Sequence, residues 1–320
     1  MSFSSRVKNE LCRVPIKNDC CKFAELAAII HTGGSIQLTG RERISLRIST
    51  ENACIARRVF TLLKELYNIH TEVLVRRNKR LRKNNNYVLV VPQIAYSKKI
   101  LSDTYLFYKN DQGRISIYHD IHENLIKNEC CKRAYLRGAF LGGGSVSDPE
   151  KTYHLEFVSR RYEYSLSLCN LLNSFGLHAQ VIERKNNFVV YLKEGEHIVK
   201  FLNITGAHAA LLDLENIRVY KDMRNNINRI INCETANLGK TVNAAVRQID
   251  NIRYLKSNLG CQDVPPSLRE VAELRLAYPD ASLKELGEML DPPMGKSGVN
   301  HRLRKLEQLA EDLRNKKGEI

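Results

Sequence analysis

Nowhere in the 320 residues is there an apolar run of the roughly 18 or more residues that a membrane-crossing helix needs. The start, MSFSSRVKNELCRV, carries Arg6, Lys8 and Glu10 where a secretory signal needs an apolar core. The nine cysteines are an odd number, and no Cys-x-x-Cys occurs among them. That excludes a simple disulfide framework and gives no spacing for a zinc site, so reduced thiols in a cytoplasmic chain are expected, with no metal and no cofactor. Acidic residues are also short. Thirty-five Asp and Glu stand against 50 Lys and Arg, a formal charge of +15. An excess of that size suits a polyanionic partner, because Lys and Arg that displace counterions from phosphates bind nucleic acid irrespective of sequence. A basic housekeeping enzyme would show the same balance.

What is present is a repeat. CCKFAELAAIIHTGGSI (Cys20 to Ile36) returns as CCKRAYLRGAFLGGGSV (Cys130 to Val146), each an apolar helix running into glycines. After the first copy come RISLRIST, a helical stretch from Glu51 to Tyr67, HTEVLVRR and NYVLVVPQ. After the second come YHLEFVSR, a helical stretch from Arg161 to Phe175, HAQVIERK and NFVVYLKE. Alternation marks strands and longer periodicity marks helices, so both halves read as αββαββα and the two together as a pseudo-two-fold α+β domain. Ala24 and Ala28, like Ala134 and Gly138, form a small-residue stripe that lets two helix backbones approach. Gly33-Gly34 and Gly142 to Gly144 are expected to end those helices in left-handed conformations.

Leu136-Arg137-Gly138-Ala139-Phe140-Leu141-Gly142-Gly143-Gly144 resembles the nine-residue motif of LAGLIDADG homing endonucleases, with Leu26 to Gly34 as a weaker first copy. The resemblance implies that the two motif helices form the interface between the halves and that each presents an acid, at the eighth motif position, to bound metal. Here those positions are Gly33 and Gly143. Phosphodiester cleavage by two metals needs such carboxylates, and neither Glu25 nor Asp148 stands at an equivalent place. The reading is therefore an architecture without catalytic residues, with a metal-dependent nuclease as the alternative. The run RRNKRLRK at the tip of the first hairpin holds six basic residues in eight, Arg76, Arg77, Lys79, Arg80, Arg82 and Lys83. It is either an auxiliary phosphate contact or a solvated loop.

Beyond NITGAHAALLDLENIRVYKDM, which ends at Met223, the β signal is gone. RNNINRIINCETANLGKTVNAAVRQIDNIRYLKSN is helical with an expected break near Asn237 to Gly239. Capping boxes are expected at Ser267 with Glu270 and at Ser282 with Glu285, and DPPMGKSG forces a turn before VNHRLRKLEQLAEDLR. This order is a helix-turn-helix plan. In the last helix Val299, Leu303, Leu306, Ala310 and Leu313 share one face, while Ser297, His301 and Arg304 lie opposite. Lys296, Asn300, Arg302 and Lys305 flank that polar face, which suits a recognition helix entering the major groove of double-stranded DNA. MGKSG resembles the end of a P-loop but lacks the first glycine, since position 290 is Leu290. The histidines, His31 among them, read as ordinary polar residues.

The expected organisation is a first repeat over 1–105, a linker over 106–126, a second repeat over 127–205, a helical connector over 206–237 and a helix-turn-helix domain over 238–320. SFSSRVKNEL, NECCKRAYLRGAFLGGGSVSDPEKTYHLE, NRIINCETANLGKTVNAA and ASLKELGEMLDPPMGKSGVNHRLRKLE together resemble the WhiA family of bacterial regulators along essentially the whole chain. That resemblance implies a nucleoid-associated, non-enzymatic DNA-binding regulator linked to sporulation, cell division and chromosome segregation. Another transcription regulator or RNA polymerase is a candidate protein partner. A scaffold anchored to DNA, whose paired repeats bind protein, is the remaining alternative.

Overall fold

The computed structural model describes all residues except 40–42, 78–84, 92, 110–114, 260–263 and 318–320. The chain forms two compact units, Met1–Lys221 and Asp222–Ile320.

The first unit contains the repeat. In its first half α2 (Asp19–Gly33), β1 (Gly34–Thr39), β2 (Arg43–Thr50), α3 (Ala53–Tyr67), β3 (Glu72–Arg77), β4 (Asn85–Val90) and α4 (Ile94–Asp103) follow in order. The second half repeats this as α5 (Glu129–Gly143), β7 (Gly144–Val146), β8 (Leu155–Ser159), α6 (Tyr162–Asn173), β9 (Gln180–Arg184), β10 (Asn187–Leu192) and α7 (Gly195–Thr205). Both sheets are antiparallel and share one strand order, β1-β2-β4-β3 and β7-β8-β10-β9. The αββαββα reading thus holds in each half. Alternation along the strands decides which face is covered: Ile44, Leu46 and Ile48 of β2, and Leu155 and Phe157 of β8, are buried.

Two features of this unit lie outside the αββαββα repeat. One is α1 (Phe3–Leu11), which drops Phe3, Val7 and Leu11 into the core. Its Glu10 carboxylate accepts hydrogen bonds from the amides of Ala209 (2.7 Å) and Ala210 (3.0 Å), capping the free end of α8 (His208–Asn258). The other is a short ribbon, β5 (Phe107–Lys109) with β6 (Ile115–Ile117), inside the stretch read as a linker.

At the centre α2 and α5 pack along their length. Ala24, Ala28, Ala134 and Gly138 are all buried, as the small-residue stripe predicts. The reason for the glycines is not the expected one. Gly34 has φ −82° and Gly144 φ −86°, both extended rather than left-handed. Space is what they supply. A Cβ on Gly138 would fall 2.3 Å from the Glu25 carbonyl oxygen, and one on Gly142 would fall 2.0 Å from Thr32 Oγ1.

The second unit is helical. The expected break near Asn237 to Gly239 does not occur, because α8 runs unbroken through it. One glycine costs a helix only about 1 kcal/mol, which the long flanking segments absorb. The far end of α8 contributes Ile252 and Leu255 to a core completed by α9 (Pro266–Ala277), α10 (Leu283–Glu288) and α11 (Lys296–Lys317). The capping box of α10 forms as expected, with Ser282 Oγ accepting from the Glu285 amide and Glu285 Oε2 accepting from the Ser282 amide (2.7 Å). That of α9 does not. Pro265 is the N-cap and Ser267 lies inside the first turn, since Pro266 favours the first helical position. Glu270 instead accepts from the Asp291 amide (3.3 Å).

Replacing Gly138 with Ala should lower stability by about 1–3 kcal/mol, because the new methyl meets backbone that can yield only by separating α2 from α5. Denaturant unfolding of the full chain measures this, and an unchanged midpoint would remove the close approach as the organising contact.

Candidate nucleic-acid interface

The helix α11 is positioned by its neighbours before its polar face is considered. Val299, Leu303, Leu306 and Ala310 are buried against α9 and α10, and Leu313 packs beside them. This fixes the rotation of the helix. Ser297, His301, Arg304, Lys296 and Lys305 are consequently exposed, while Asn300 and Arg302 are half-buried. The connection from α10 depends on Gly287, where a Cβ would fall 2.0 Å from the Met294 carbonyl oxygen. The Gly287 carbonyl in turn accepts from the Met294 amide (2.8 Å). On the other side Arg275 donates to the carbonyls of Pro279 (3.3 Å) and Ala281 (2.7 Å), pinning the turn between α9 and α10. The N-terminus of α11 and a basic, unobstructed face thus share one surface, and both attract phosphate.

The paired repeats offer a different surface. Gly33 and Gly143 close α2 and α5, and a Cβ on Gly33 would lie 3.5 Å from the Gly142 carbonyl oxygen. The two expected acid positions therefore do converge, but on backbone alone. Glu25 does not substitute for them. It is fully buried and held between Arg58 (Nε to Oε1, 2.7 Å) and Arg137 (Nε to Oε2, 2.5 Å). Arg137 also donates to the Thr205 carbonyl (3.3 Å) and Arg58 to that of Cys12 (3.3 Å). This carboxylate neutralises two arginines inside the interface and has no site left for a metal.

On the outward sheet faces, register sets Glu72 and Arg76 beside Val90 and Asn86 in the first half, and Glu156 beside Tyr191 in the second. These surfaces mix both signs. Of the basic run, Arg76 and Arg77 close β3, whereas Lys79, Arg80, Arg82 and Lys83 lie outside the described residues. His31 is structural. Its Nε2 lies 3.0 Å from the His119 carbonyl and so carries the proton, Nδ1 faces the Tyr135 hydroxyl (3.4 Å), and the ring stacks on Tyr164. Burial pushes its pKa down to about 4.

One grouping escaped the spacing argument. Cys20, Cys21, Cys130 and Cys131 bring their sulfur atoms within 4.8 Å of one another. Among the described residues, it is the one group of three or more His, Cys, Asp or Glu side chains that could hold a metal ion together. Two Cys-Cys dipeptides 110 residues apart match no linear zinc pattern; only their occurrence in the repeat hinted at convergence.

Comparison with known proteins agrees with this architecture over nearly the whole chain. Residues 19–107 match the WhiA N-terminal LAGLIDADG-like domain, 132–224 the WhiA LAGLIDADG-like domain and 227–310 the WhiA C-terminal HTH domain. The probable cell division protein WhiA of Alkaliphilus metalliredigens is 59% identical over 316 residues, covering 99% of both chains. The chain belongs to the WhiA family. Its counterpart in Thermoanaerobacter pseudethanolicus is 55% identical over 317 residues, covering 99% of both chains. The crystal structure of full-length DUF199/WhiA from Thermotoga maritima has a similar fold, with TM-score 0.60 and 27% identity, over 98% of this chain and 99% of that one. The WhiA assignment makes the repeat a LAGLIDADG-like domain and the C-terminal unit a helix-turn-helix domain, and the acids of cleavage are absent from Gly33 and Gly143.

Replacing Glu25 with Gln should destabilise the chain by about 3–5 kcal/mol, since buried Arg137 and half-buried Arg58 lose the carboxylate that pairs them. Substituting Glu25, Arg58 and Arg137 together with Leu, Met and Met should restore much of that loss. Thermal unfolding of the two variants decides it: equal destabilisation in both would show that the ion cluster is not what holds this interface.

Proposed function

We propose that the chain is a non-catalytic, sequence-specific DNA-binding regulator that acts in cell division, chromosome segregation or sporulation, within the cytoplasm at the nucleoid. The exposed basic face of α11 carries this reading. Ser297, His301 and Arg304 point away from the buried stripe and are the candidates for base edges; Lys296, Arg302 and Lys305 neutralise phosphates, with Asn300 at the border of the two sets. The relatives' printed names supply the link to cell division. Arg76, Arg77, Lys79, Arg80, Arg82 and Lys83 are proposed as an auxiliary, sequence-independent contact. Cleavage is not part of the activity, because no carboxylate occupies Gly33 or Gly143.

A protein partner is a second reading, favoured by α8. Ile227, Ile230, Ile231 and Leu238 are each more than half exposed, an unusual density of bare aliphatic side chains. Another transcription regulator or RNA polymerase would cover them. Changing Ile230 and Ile231 to Asp should leave DNA affinity of the pure protein intact and abolish co-purification with those two candidates; retained co-purification would discard this surface.

Binding to DNA selected from random sequence, followed by fluorescence anisotropy across a salt series, tests the main proposal. Arg304→Ala should relax sequence preference at one position, costing about 1–3 kcal/mol. Lys305→Ala should weaken all sequences alike and reduce the salt slope by about one unit. The protein should leave a supercoiled plasmid carrying the selected site intact in Mg²⁺ or Mn²⁺. Metal-dependent nicking there, or undiminished preference in Arg304→Ala, would overturn the assignment.

A further inference from the structure

The first turns of α2 and α5 each carry an acid, two cysteines and a lysine: Asp19-Cys20-Cys21-Lys22 and Glu129-Cys130-Cys131-Lys132. The pseudo-two-fold relation brings the two turns face to face, at the end of the helix pair opposite the motif glycines. All four sulfur atoms lie within 4.8 Å of one another, with Cys130 and Cys131 4.0 Å apart. Cys21 and Cys131 are buried, Cys20 and Cys130 are open to solvent, and all four are free thiols.

We propose that this cluster is a structural zinc site of the four-cysteine type. Four thiolates with no nitrogen or oxygen competitor select a soft, tetrahedral cation. In a zinc–tetrathiolate with bonds near 2.3 Å, sulfur atoms stand about 3.8 Å apart, so the cluster needs only small side-chain rotations to close on an ion. Two buried and two exposed thiols give the ion an anchored inner side and an entry path.

The surroundings suit the charge. Four thiolates and one Zn²⁺ leave two negative charges, which the positive ends of two helix dipoles stabilise. The side chains of Asn18 and Asn128 make no capping hydrogen bond; in α2 the Asn18 carbonyl takes the Cys21 amide (3.1 Å), which leaves the amides of Asp19 and Cys20 for sulfur. Lys17 and Arg133 line the same surface cleft as Cys21 and Cys130. Binding exchanges thiol protons for the ion and forms no sulfur–sulfur bond, so no oxidant is required. The ion would fasten the two repeats together at the N-terminal ends of α2 and α5.

The test uses the full chain purified under reducing conditions without chelator. Elemental analysis should find about one zinc per chain, and Co²⁺ exchanged into the site should give the strong visible bands and thiolate charge-transfer absorption of a tetrahedral four-sulfur centre. Cys20→Ser combined with Cys130→Ser should abolish both signals, while Cys233→Ser, on α8, should leave them unchanged. Removing zinc from the wild-type chain with a strong chelator should lower its Tm, and restoring zinc should recover it. This arm needs no variant to fold. Zinc content no higher than in a variant with all four cysteines changed to Ser would overturn the proposal. So would a cobalt spectrum dominated by oxygen ligands, or mass-spectrometric detection of disulfides joining these cysteines in the chain as purified.

Discussion

The Glu25 carbonyl oxygen occupies the space beside residue 138 where any side chain would have to go. That contact fixes how close α2 and α5 come, and much else follows from it. Glycine is required at 138 and 142, because Glu25 and Thr32 press against both places. The separation at which β1 and β7 leave the two helices is set at the same time, so both sheets start from equivalent positions and adopt the same strand order. It also explains why Glu25 is paired so completely. A carboxylate carried into a seam this tight has no water to turn to, and Arg58 and Arg137 supply the charge that water cannot.

The second unit solves a different problem by ordinary means. Gly287 lets the Met294 carbonyl of the turn before α11 come close, and the core is a conventional apolar cluster of Leu268, Val271, Leu286, Val299 and Leu303. What is specific is the rotation of α11. With four residues of one stripe buried, the remaining side chains have no freedom to choose a face. The basic residues between Lys296 and Lys305 are thereby presented together rather than dispersed.

The parts of this architecture that were legible in the sequence are those with a period. Strand alternation, helix periodicity and the recurrence of CCK…GGS in both halves each repeat a local rule, and the structure follows them. The stripe of α11 was readable for the same reason. What could not be read depends on contacts between distant segments. Nothing in SFSSRVKNEL announces that Glu10 caps a helix two hundred residues away, and the first-half counterpart of Arg137 is Ala27, so the ion cluster around Glu25 breaks the repeat rather than following it. The misreadings were local rules overruled by neighbours. Gly34 and Gly144 make room instead of turning left-handed, Pro266 takes the helix start from Ser267, and Gly239 is carried through by the helix on either side.

The two ends of the α2–α5 pair also differ electrically, and the glycine end differs in the same way from the start of α11. At the glycine end both helices finish, and each contributes the negative pole of its dipole. In the homing endonucleases that the motif resembles, an acid at the end of each motif helix holds metal there, so cation charge offsets both the acids and the helix poles. Without the carboxylates this end needs no cation to be stable. But without bound cations the two negative poles there do not themselves favour phosphate. The outward face of the first sheet carries Glu72 with Arg47 and Arg76, and that of the second carries Glu156 with Arg184, so both mix the two signs. The start of α11 presents the opposite pole. Lys296 and Ser297 open α11 with free amides, a positive dipole end and no acid before Glu307. Losing the metal-binding carboxylates thus removes the cations that would offset two negative helix poles at this end, whereas α11 opens with the opposite pole and no acid in its first three turns.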